Sequence, residues 1–224
     1  TTTKSLVPVS SRLVKAQAAQ SGWTTVPGSR RSADYAGGKQ TQISGYYDPI
    51  PTADSQTGWV YVVANNFDRS GPVLLYRATP QAFTDRSRWQ GWAGGSGGGW
   101  NKPPTPLWPG RVGGMGIRQI DGKAVLSYCD ASRGSMEVRV AYGPTGLGTA
   151  PATTVVRADA WPDPVDSLPA TDDNRLAQPY GGYISPGSTL DEVRVFVSQW
   201  NTAPRDRAPY RVIQFAVNPF KPWS

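Results

Sequence analysis

Residues 58–78 read GWVYVVANNFDRSGPVLLYRA, in which two apolar runs rich in Val, Leu and Tyr flank the polar turn sequence DRSG. Runs of this kind, bounded by Gly and Asn, predict β-strands, and the turn between them predicts a β-hairpin. The same arrangement occurs twice more, in KAVLSYC (123–129) with MEVRVAY (136–142) and in VRVFVSQW (193–200) with YRVIQFAV (210–217). The sequence therefore predicts three hairpins built from long strands.

A shorter strand, Gly-rich or aromatic, is predicted before each hairpin. These strands are QISGYY (42–47), GGMGIRQI (113–120) and YGGYIS (180–185). The unit of one short and two long strands repeats about every 70 residues, from Ile43 to Met115 to Gly182. A repeat of this kind is typical of the four-stranded antiparallel blades of a β-propeller.

The fourth strand of a blade has two candidates, residues 153–157 (TTVVR) and, more weakly, residues 6–14. The Gly-rich short strands fit the innermost position of a blade, where backbones crowd together. Residues 1–224 are therefore interpreted as a single all-β propeller domain, or as the C-terminal part of one. Because rings close with about four or more blades, we expect a further N-terminal segment or another chain to complete this one.

Amino-acid composition limits the chemistry available to these 224 residues. The absence of His excludes a Ser-His-Asp triad and His metal ligands, and a single Cys excludes an intrachain disulfide. Acid–base catalysis would rely on 16 carboxylates, which leaves glycoside hydrolysis open. No cofactor or metal site is expected. Cys129 ends the alternating strand KAVLSYC and is predicted to be half-buried and inert.

Helices and membrane spans are both disfavoured by the composition. The 25 Gly and 21 Pro residues are poor helix formers, so we expect less than about 12% helix. No apolar run approaches the roughly 20 residues that cross a bilayer, and no membrane span is expected.

The net charge is +7, and Arg supplies 17 of the 23 cations. A basic chain favours anionic partners, but the Arg residues are scattered and only Arg30 and Arg31 are adjacent. A solvated basic surface is therefore the simpler interpretation. Nucleic-acid binding is the weakest functional hypothesis, and no nucleic-acid partner is expected.

Aromatic and carboxylate side chains meet at two predicted strand ends. Tyr46, Tyr47 and Asp48 end the first short strand, and they suit a sugar site because rings stack on sugar C–H faces while carboxylates bind hydroxyls. The alternative is packed Tyr side chains beside a turn-forming Asp48. Asp48 and Asp130 are the candidate catalytic carboxylates. Asp130 follows the strand KAVLSYC, and the alternative is that it opens the hairpin turn.

The stretch QPYGGYISPGS (178–188) combines Gly, Tyr and hydroxyl side chains. Tyr180 and Tyr183 are candidate sugar-binding residues, with packing in the core as the alternative. Because side chains alternate along a strand, residue 183 is predicted to face a ligand channel with residues 181 and 185, and Tyr180 to face the opposite way. A bulge at Gly181-Gly182 would exchange the faces.

Three further residues are candidates for ligand contact. Arg118, in GGMGIRQI, would hold an anionic group or orient a carboxylate if it points into a channel, whereas a salt bridge to an Asp is the alternative. Trp200 and Asn201 lie at the strand end SQWNT, which suits sugar contact or plain packing.

Four stretches carry a resemblance to a known family. They are YGGYISPGSTLDEVRVFVSQWNT (180–202), PYRVIQF (209–215), YRATPQAFTDRSRWQGW (76–92) and IRQIDGKAVLSYCDAS (117–132). Together they resemble a secreted actinobacterial family once called domain of unknown function 4185, over residues 45–222, with residues 1–44 matching poorly. The resemblance implies a five-bladed β-propeller and an endo-D-arabinanase that cleaves the D-arabinan of arabinogalactan and lipoarabinomannan.

The resemblance also implies which residues carry over to this chain. Members are expected to hold two essential Asp residues in N-terminal blades, one of them in a Gly-Asp-Thr strand end, and no Gly-Asp-Thr occurs here. The catalytic pair is therefore expected outside this chain. The residues that carry over form the channel wall: Tyr46, Tyr47, Arg118, Tyr180 and Tyr183, with Asp48 and Asp130.

Two functional hypotheses follow. The first is an endo-acting glycoside hydrolase with a two-carboxylate mechanism and an arabinan substrate, secreted or in the cell envelope. The second is a non-catalytic carbohydrate-binding or structural propeller subunit whose catalytic blades are supplied from elsewhere.

Overall fold

Strands make up almost all of the regular structure in the computed structural model, which describes residues 7–16, 22–159, 174–199 and 210–221. The helices among these residues are two short 3₁₀ helices, Arg86–Arg88 and Pro144–Gly148. The predicted all-β class is thereby confirmed. The chain divides into two units, Thr1–Pro109 and Gly110–Ser224.

The first unit is organised around one five-stranded sheet. Its described strands are β1 (Ser10–Ser11), β2 (Val14–Ala16), β3 (Trp23–Thr25), β4 (Arg31–Ser32), β5 (Gln42–Asp48), β6 (Trp59–Asn65), β7 (Leu74–Ala78), β8 (Gln90–Ala93) and β9 (Gly99–Trp100). Strands β5 to β9 pair in sequence order, each antiparallel to the next. The described part of residues 6–14 joins two small pairs instead, β1 with β4 and β2 with β3.

Apolar side chains on one face of this sheet form the core of the first unit. Phe83 and Trp89 stack with their ring centroids 5.6 Å apart, and the Trp89 indole donates to the Phe83 carbonyl at 2.8 Å. The other members are Val62, Ala64, Leu74, Tyr76 and Ala78, with Leu13, Ile43 and Val60 packed against them.

Arg86 ties the first strands to the sheet. It is 2% exposed, and its guanidinium donates to oxygen atoms of Ser11, Ser29 and Gln40. All of these acceptors are neutral. Burial and the nearby Arg31 lower the pKa of Arg86 to about 10, so that the side chain remains a buried cation at neutral pH.

The second unit contains a five-stranded and a three-stranded sheet among its described residues. The strands are β10 (Val112–Ile120), β11 (Lys123–Asp130), β12 (Ser135–Ala141), β13 (Ala152–Asp159), β14 (Arg175–Ala177), β15 (Pro179–Ile184), β16 (Val193–Gln199) and β17 (Arg211–Val217). Strands β10 to β13 form an antiparallel meander, β14 adds in parallel, and β15 to β17 form a second meander.

The core of the second unit lies between its two sheets. Cys129 is 3% exposed within this core, and is therefore more deeply buried than the half-buried position predicted from the sequence. The core also contains Ile120, Val125, Met136, Val138, Val155, Val156, Leu176, Ile184, Val193, Val195, Val197 and Val217.

Strands β10 and β15 are the edge strands of their sheets, and glycine allows them to lie close together. A Cβ added to Gly114 would lie 2.7 Å from the Gly181 Cα atom, and one added to Gly116 would lie 3.0 Å from the Gly182 carbonyl oxygen. Ser127 of the neighbouring strand β11 also contacts β15, since its Oγ lies 3.2 Å from the Gly182 carbonyl oxygen. These close approaches match the backbone crowding predicted for the Gly-rich short strands.

All three predicted hairpins are present, as β6 with β7, β11 with β12, and β16 with β17. Residues 153–157 lie within β13, the fourth strand of the β10–β13 meander. A closed propeller was not found among the described residues.

Candidate functional site

A row of polar and aromatic side chains crosses the sheet of the first unit. The ladder places Tyr46 opposite Tyr61, Tyr61 opposite Arg77, and Arg77 opposite Gln90. Residues directly opposite one another project from the same face of a sheet, so strands β5 to β8 each contribute one side chain to this row. The row lies on the face opposite the Val62 and Leu74 core because the side chains of a strand alternate.

Four rings on this face form a continuous strip, here called the ring strip: Tyr46, Tyr61, Trp100 and Trp92. Successive ring centroids are 5.6, 5.9 and 5.1 Å apart, and each pair is tilted. These separations are those of favourable aromatic pairs. Each of the four side chains is only partly buried, so ring surface remains available to a ligand.

Arg77 packs against Trp100 of the ring strip and against Trp59, which is not part of the strip. Its guanidinium carbon lies 3.8 Å from the Trp59 ring centroid and 4.6 Å from that of Trp100. Its Nε donates to the Gln90 side-chain oxygen at 2.9 Å, and its Nη2 forms a 3.1 Å ion pair with Asp54. Arg77 is 8% exposed, and these contacts fix the orientation of the rings around it.

The two phenols of the ring strip remain neutral at physiological pH. Burial raises the pKa of Tyr46 well above its usual range, and the neighbouring Tyr61 and Asp48 raise it further. Burial also raises the pKa of Tyr61, although the Arg77 cation opposes that shift. A neutral phenol both donates and accepts hydrogen bonds, which is what the hydroxyl groups of a polar ligand require.

Tyr46 and Tyr47 point to opposite faces of β5, and the structure does not bring them together. The Tyr47 hydroxyl donates to the Thr57 carbonyl at 2.8 Å, and its ring lines an apolar cavity of about 460 Å³ with Val60, Val62 and Phe83. Asp48 lies on the Tyr46 face because it is two residues further along β5. Its Oδ1 accepts a 3.1 Å hydrogen bond from the Ile50 amide, as a turn-forming Asp does.

A second group of candidate residues lies in the second unit, where Arg118 meets Tyr183. Arg118 Nη2 donates to the Tyr183 hydroxyl at 2.5 Å, and Nε donates to the Ile184 carbonyl at 2.8 Å. Tyr183 is 52% exposed, and its ring stacks on Phe196 with 6.4 Å between centroids. The pair thus presents an exposed ring beside a fixed cation.

Tyr180 lies on the same face as Tyr183, in contrast to the simple alternation predicted from the sequence. Tyr180 is opposite Ser198 and Tyr183 is opposite Phe196, two positions that share one face of β16. The register shifts between the two tyrosines, and Gly181 and Gly182 have φ values of +76° and +154° there. A bulge at these two glycines therefore places Tyr180 and Tyr183 on the same face. Glycine permits this bulge because L side chains rarely adopt these backbone conformations.

The second candidate carboxylate opens a hairpin turn. Asp130 Oδ1 accepts hydrogen bonds from the amides of Ser132 at 2.9 Å and Arg133 at 3.2 Å. Trp200 and Asn201 lie outside the described residues.

Each acidic residue that the structure describes has a partner within the chain. Glu137, 2% exposed, accepts hydrogen bonds from the Ser135 hydroxyl at 2.5 Å and from Thr154 at 3.2 Å. Besides Asp48, Asp54 and Asp130, the remaining ones are Asp34, Asp68, Asp85, Asp121, Asp159, Asp191 and Glu192. In the described ranges no group of three or more acidic or Cys side chains is placed to hold a metal ion, and no helix there is long and apolar enough to span a membrane.

Sequence reasoning missed four residues of this surface: Tyr61, Arg77, Trp92 and Trp100. Tyr61 and Arg77 could have been identified from the sequence by side-chain alternation. Both lie in a predicted hairpin, two residues from another residue of the same face. Trp92 and Trp100 belong to strands of four and two residues, which no periodicity reveals.

Comparison with known proteins gives one family and several relatives. The sequence profile described as domain of unknown function (DUF4185) matches residues 3–216, a range that includes most of residues 1–44. An uncharacterized 35.9 kDa protein of Mycolicibacterium smegmatis is 70% identical over all 224 residues. Notoamide biosynthesis cluster protein J' of Aspergillus versicolor is 32% identical over 158 residues, 67% of this chain.

The chain spans only part of these relatives, 67% of the Mycolicibacterium protein and 39% of the Aspergillus protein. A crystal structure of a Bacteroides ovatus protein, provisionally named a hydrolase, aligns with a TM-score of 0.48 at 14% identity. That alignment covers 78% of this chain and 44% of the other. Similarity at this level carries no argument about function.

Proposed function

Because this chain belongs to the family described as domain of unknown function (DUF4185), we propose that it binds the D-arabinan of a bacterial cell wall, as the substrate-binding part of an endo-acting glycoside hydrolase. The substrate follows from the family resemblance to endo-D-arabinanases. The proposed location is outside the cytoplasm, secreted or in the cell envelope, where such a polymer is found.

The observation that carries the proposal is the ring strip. Four partly exposed rings in contact offer successive flat apolar surfaces, and this arrangement suits an extended polymer of sugar rings better than a single small sugar. Neutral phenols and the Asp48 carboxylate lie on the same face, and they supply hydrogen-bonding groups for sugar hydroxyls. The exposed Tyr183 ring beside Arg118 is a second place with the same combination of groups.

Glycoside hydrolysis needs two carboxyl groups, one as general acid and the other as base or nucleophile. Each acid in the described ranges has a hydrogen-bond or ion-pair partner, and Asp48 and Asp130 bind the backbone amides of their own turns. We therefore propose that the catalytic pair is contributed from outside the described residues. The same observation favours a second candidate function, a carbohydrate-binding chain with no catalysis of its own.

Calorimetric titration of the purified chain with a D-arabinan oligosaccharide tests the proposal. We expect saturable binding in the wild type. In Trp100→Ala we expect the binding free energy to weaken by roughly 1–3 kcal/mol, because a ring stack on a flat ligand contributes about that much. Trp23→Ala is the matched control, since Trp23 is 72% exposed and lies outside the ring strip. Equal affinities of Trp100→Ala and the wild type would refute the role of the ring strip.

Reducing-end release from the same oligosaccharide separates the two functions. Binding without release by this chain, together with release by the full-length Mycolicibacterium relative, is the result expected for the substrate-binding part of a hydrolase. Binding without release by either protein would support the non-catalytic alternative. Release by this chain alone would show that the catalytic carboxylates lie within it.

A further inference from the structure

The first strands of the chain carry a cavity of about 260 Å³ that the arabinan proposal does not use. It is lined by Arg12, Thr25, Val26, Pro27, Gly28 and Arg30. The antiparallel register of β1 and β4 pairs Ser10 with Ser32 and Ser11 with Arg31, so Arg12 and Arg30 are the residues next beyond the last pair. Two exposed cations therefore line one cavity at the end of a short ladder.

Both arginine side chains are exposed, so solvent and salt screen the repulsion between them. Neither Arg12 nor Arg30 forms a hydrogen bond or an ion pair with a residue that the structure describes. Asp34, the one acid among residues 7–44, pairs with Lys39 at 3.5 Å. The charge of the two guanidinium groups is therefore uncompensated by described residues.

Hydrogen bonds of Ser29 and of the backbone, and not the two arginines, stabilise the segments around the cavity. Ser29 is fully buried, and its hydroxyl lies 2.7 Å from the Val26 carbonyl and accepts a hydrogen bond from the Leu13 amide at 3.1 Å. The Val26 amide also donates to the Leu13 carbonyl at 3.0 Å. Because Arg86 binds backbone oxygens of both Ser11 and Ser29, the two arginine-bearing segments are fixed before any ligand arrives.

We propose that Arg12 and Arg30 form a binding site for a phosphate group. Guanidinium groups match tetrahedral oxoanions through paired N–H donors, and two of them would neutralise the double negative charge of a phosphate monoester. The cavity is slightly smaller than the 300 Å³ or so at which pockets for drug-sized ligands begin, so it fits a phosphate with at most a small attached group.

Titration of the purified chain with inorganic phosphate at constant ionic strength tests this site, with chloride as the reference anion. We expect saturable phosphate binding that weakens about tenfold or more in Arg12→Gln and in Arg30→Gln, because each loses a charged donor pair. Lys15→Gln is the matched control, since it removes the same charge from the same segment without lining the cavity. Equal weakening in Lys15→Gln would overturn the site and leave only general charge attraction.

Thermal unfolding gives a second readout, because a ligand that binds the folded state raises its stability. Without phosphate, Arg12→Gln is expected to be about as stable as the wild type because Arg12 is exposed. With phosphate, the wild type and Lys15→Gln are expected to gain more stability than Arg12→Gln. A phosphate-dependent gain of the same size in Arg12→Gln would contradict the proposal.

Ribose 5-phosphate and ribose distinguish the source of the phosphate group. Tighter binding of ribose 5-phosphate than of inorganic phosphate would support a phosphate ester as the ligand, and equal binding would support the free ion. Binding of ribose as tight as that of ribose 5-phosphate would refute recognition of the phosphate group.

Discussion

Arg118 and Tyr183 are joined by a 2.5 Å hydrogen bond from Nη2 to the phenol oxygen, although 65 positions separate them in the sequence. They lie on β10 and β15, the edge strands of two different sheets. The same guanidinium also donates to the Ile184 carbonyl. One arginine therefore fixes both the backbone and the ring of the neighbouring strand, and the Tyr183 ring is held with half of its surface exposed.

Tyr183→Ala is expected to weaken binding of a D-arabinan oligosaccharide by roughly 1–3 kcal/mol, because the substitution removes an exposed ring on which a sugar can stack. Tyr183→Phe keeps the ring and should retain most of the affinity. Calorimetry measures both, and circular dichroism should remain that of the wild type. Tyr142→Ala is the control, since Tyr142 is 90% exposed. Wild-type affinity in Tyr183→Ala would exclude this ring from the binding surface.

The hairpins were predictable because their strands have alternating or continuous apolar patterns bounded by turn residues. The faces of the first unit also follow from alternation, which separates Tyr46 from Tyr47. The ring strip does not follow, because it depends on the register of four strands and on two tryptophans in a Gly-rich stretch. Periodicity fixes which face a residue occupies, but it does not fix which residue of the next strand lies opposite.

The shared face of Tyr180 and Tyr183 could not be predicted from the sequence either, for a different physical reason. Two consecutive glycines permit a bulge without requiring one, so the sequence leaves both faces open. The bulge is settled by packing, because the strands β10 and β15 approach closely where Gly114 faces Gly181.

Gly114→Ala tests that close approach. The added methyl group would lie 2.7 Å from the Gly181 Cα atom, which is backbone and cannot rotate away. We expect the free energy of unfolding to fall by about 1–3 kcal/mol, the usual cost of overpacking a tight contact. Gly143→Ala is the control because nothing lies within 4 Å of a Cβ there, and it should change stability by less than about 0.5 kcal/mol. Urea unfolding measures both, and equal stabilities would contradict the packing described for β10 and β15.

Alkaline pH should destabilise the first unit through Tyr76. Burial raises the pKa of Tyr76 from 10.0 to about 12, and its hydroxyl donates to the Gly37 carbonyl at 2.8 Å. Between these two values the unfolded chain has lost the Tyr76 proton while the folded chain keeps it, so the unfolded state binds fewer protons and stability falls as pH rises. Below pH 10 the contribution of this group should be constant.

The measurement is urea unfolding across this pH window, in the wild type and in Tyr76→Phe. The variant loses the hydrogen bond, and its stability should be less dependent on pH because no proton is lost at this position. Tyr142→Phe, at an exposed position, should keep the wild-type pH dependence. An unchanged slope in Tyr76→Phe would show that this phenol does not control alkaline stability.

The last prediction concerns Arg86, the buried cation that joins the first strands to the sheet. Replacing it by Met would remove the donor to the Ser29 carbonyl and to the Gln40 Oε1 atom, and each buried acceptor left unsatisfied costs about 1–3 kcal/mol. The Gln40 carbonyl keeps its hydrogen bond from the Ser11 hydroxyl. Removing the charge also removes a desolvation penalty. We therefore expect the free energy of unfolding to fall by about 2–4 kcal/mol, less than the summed cost of the unsatisfied acceptors.

Arg88→Met is the matched control for Arg86→Met, because Arg88 lies in the same 3₁₀ helix and is exposed. It should change the free energy of unfolding by less than about 0.5 kcal/mol. Arg86→Lys keeps the charge but offers a compact ammonium in place of a planar fork, so it should recover only part of the loss. If Arg86→Met proved as stable as the wild type, the guanidinium would not be what holds Ser11, Ser29 and Gln40 together, because its acceptors would then be satisfied without it.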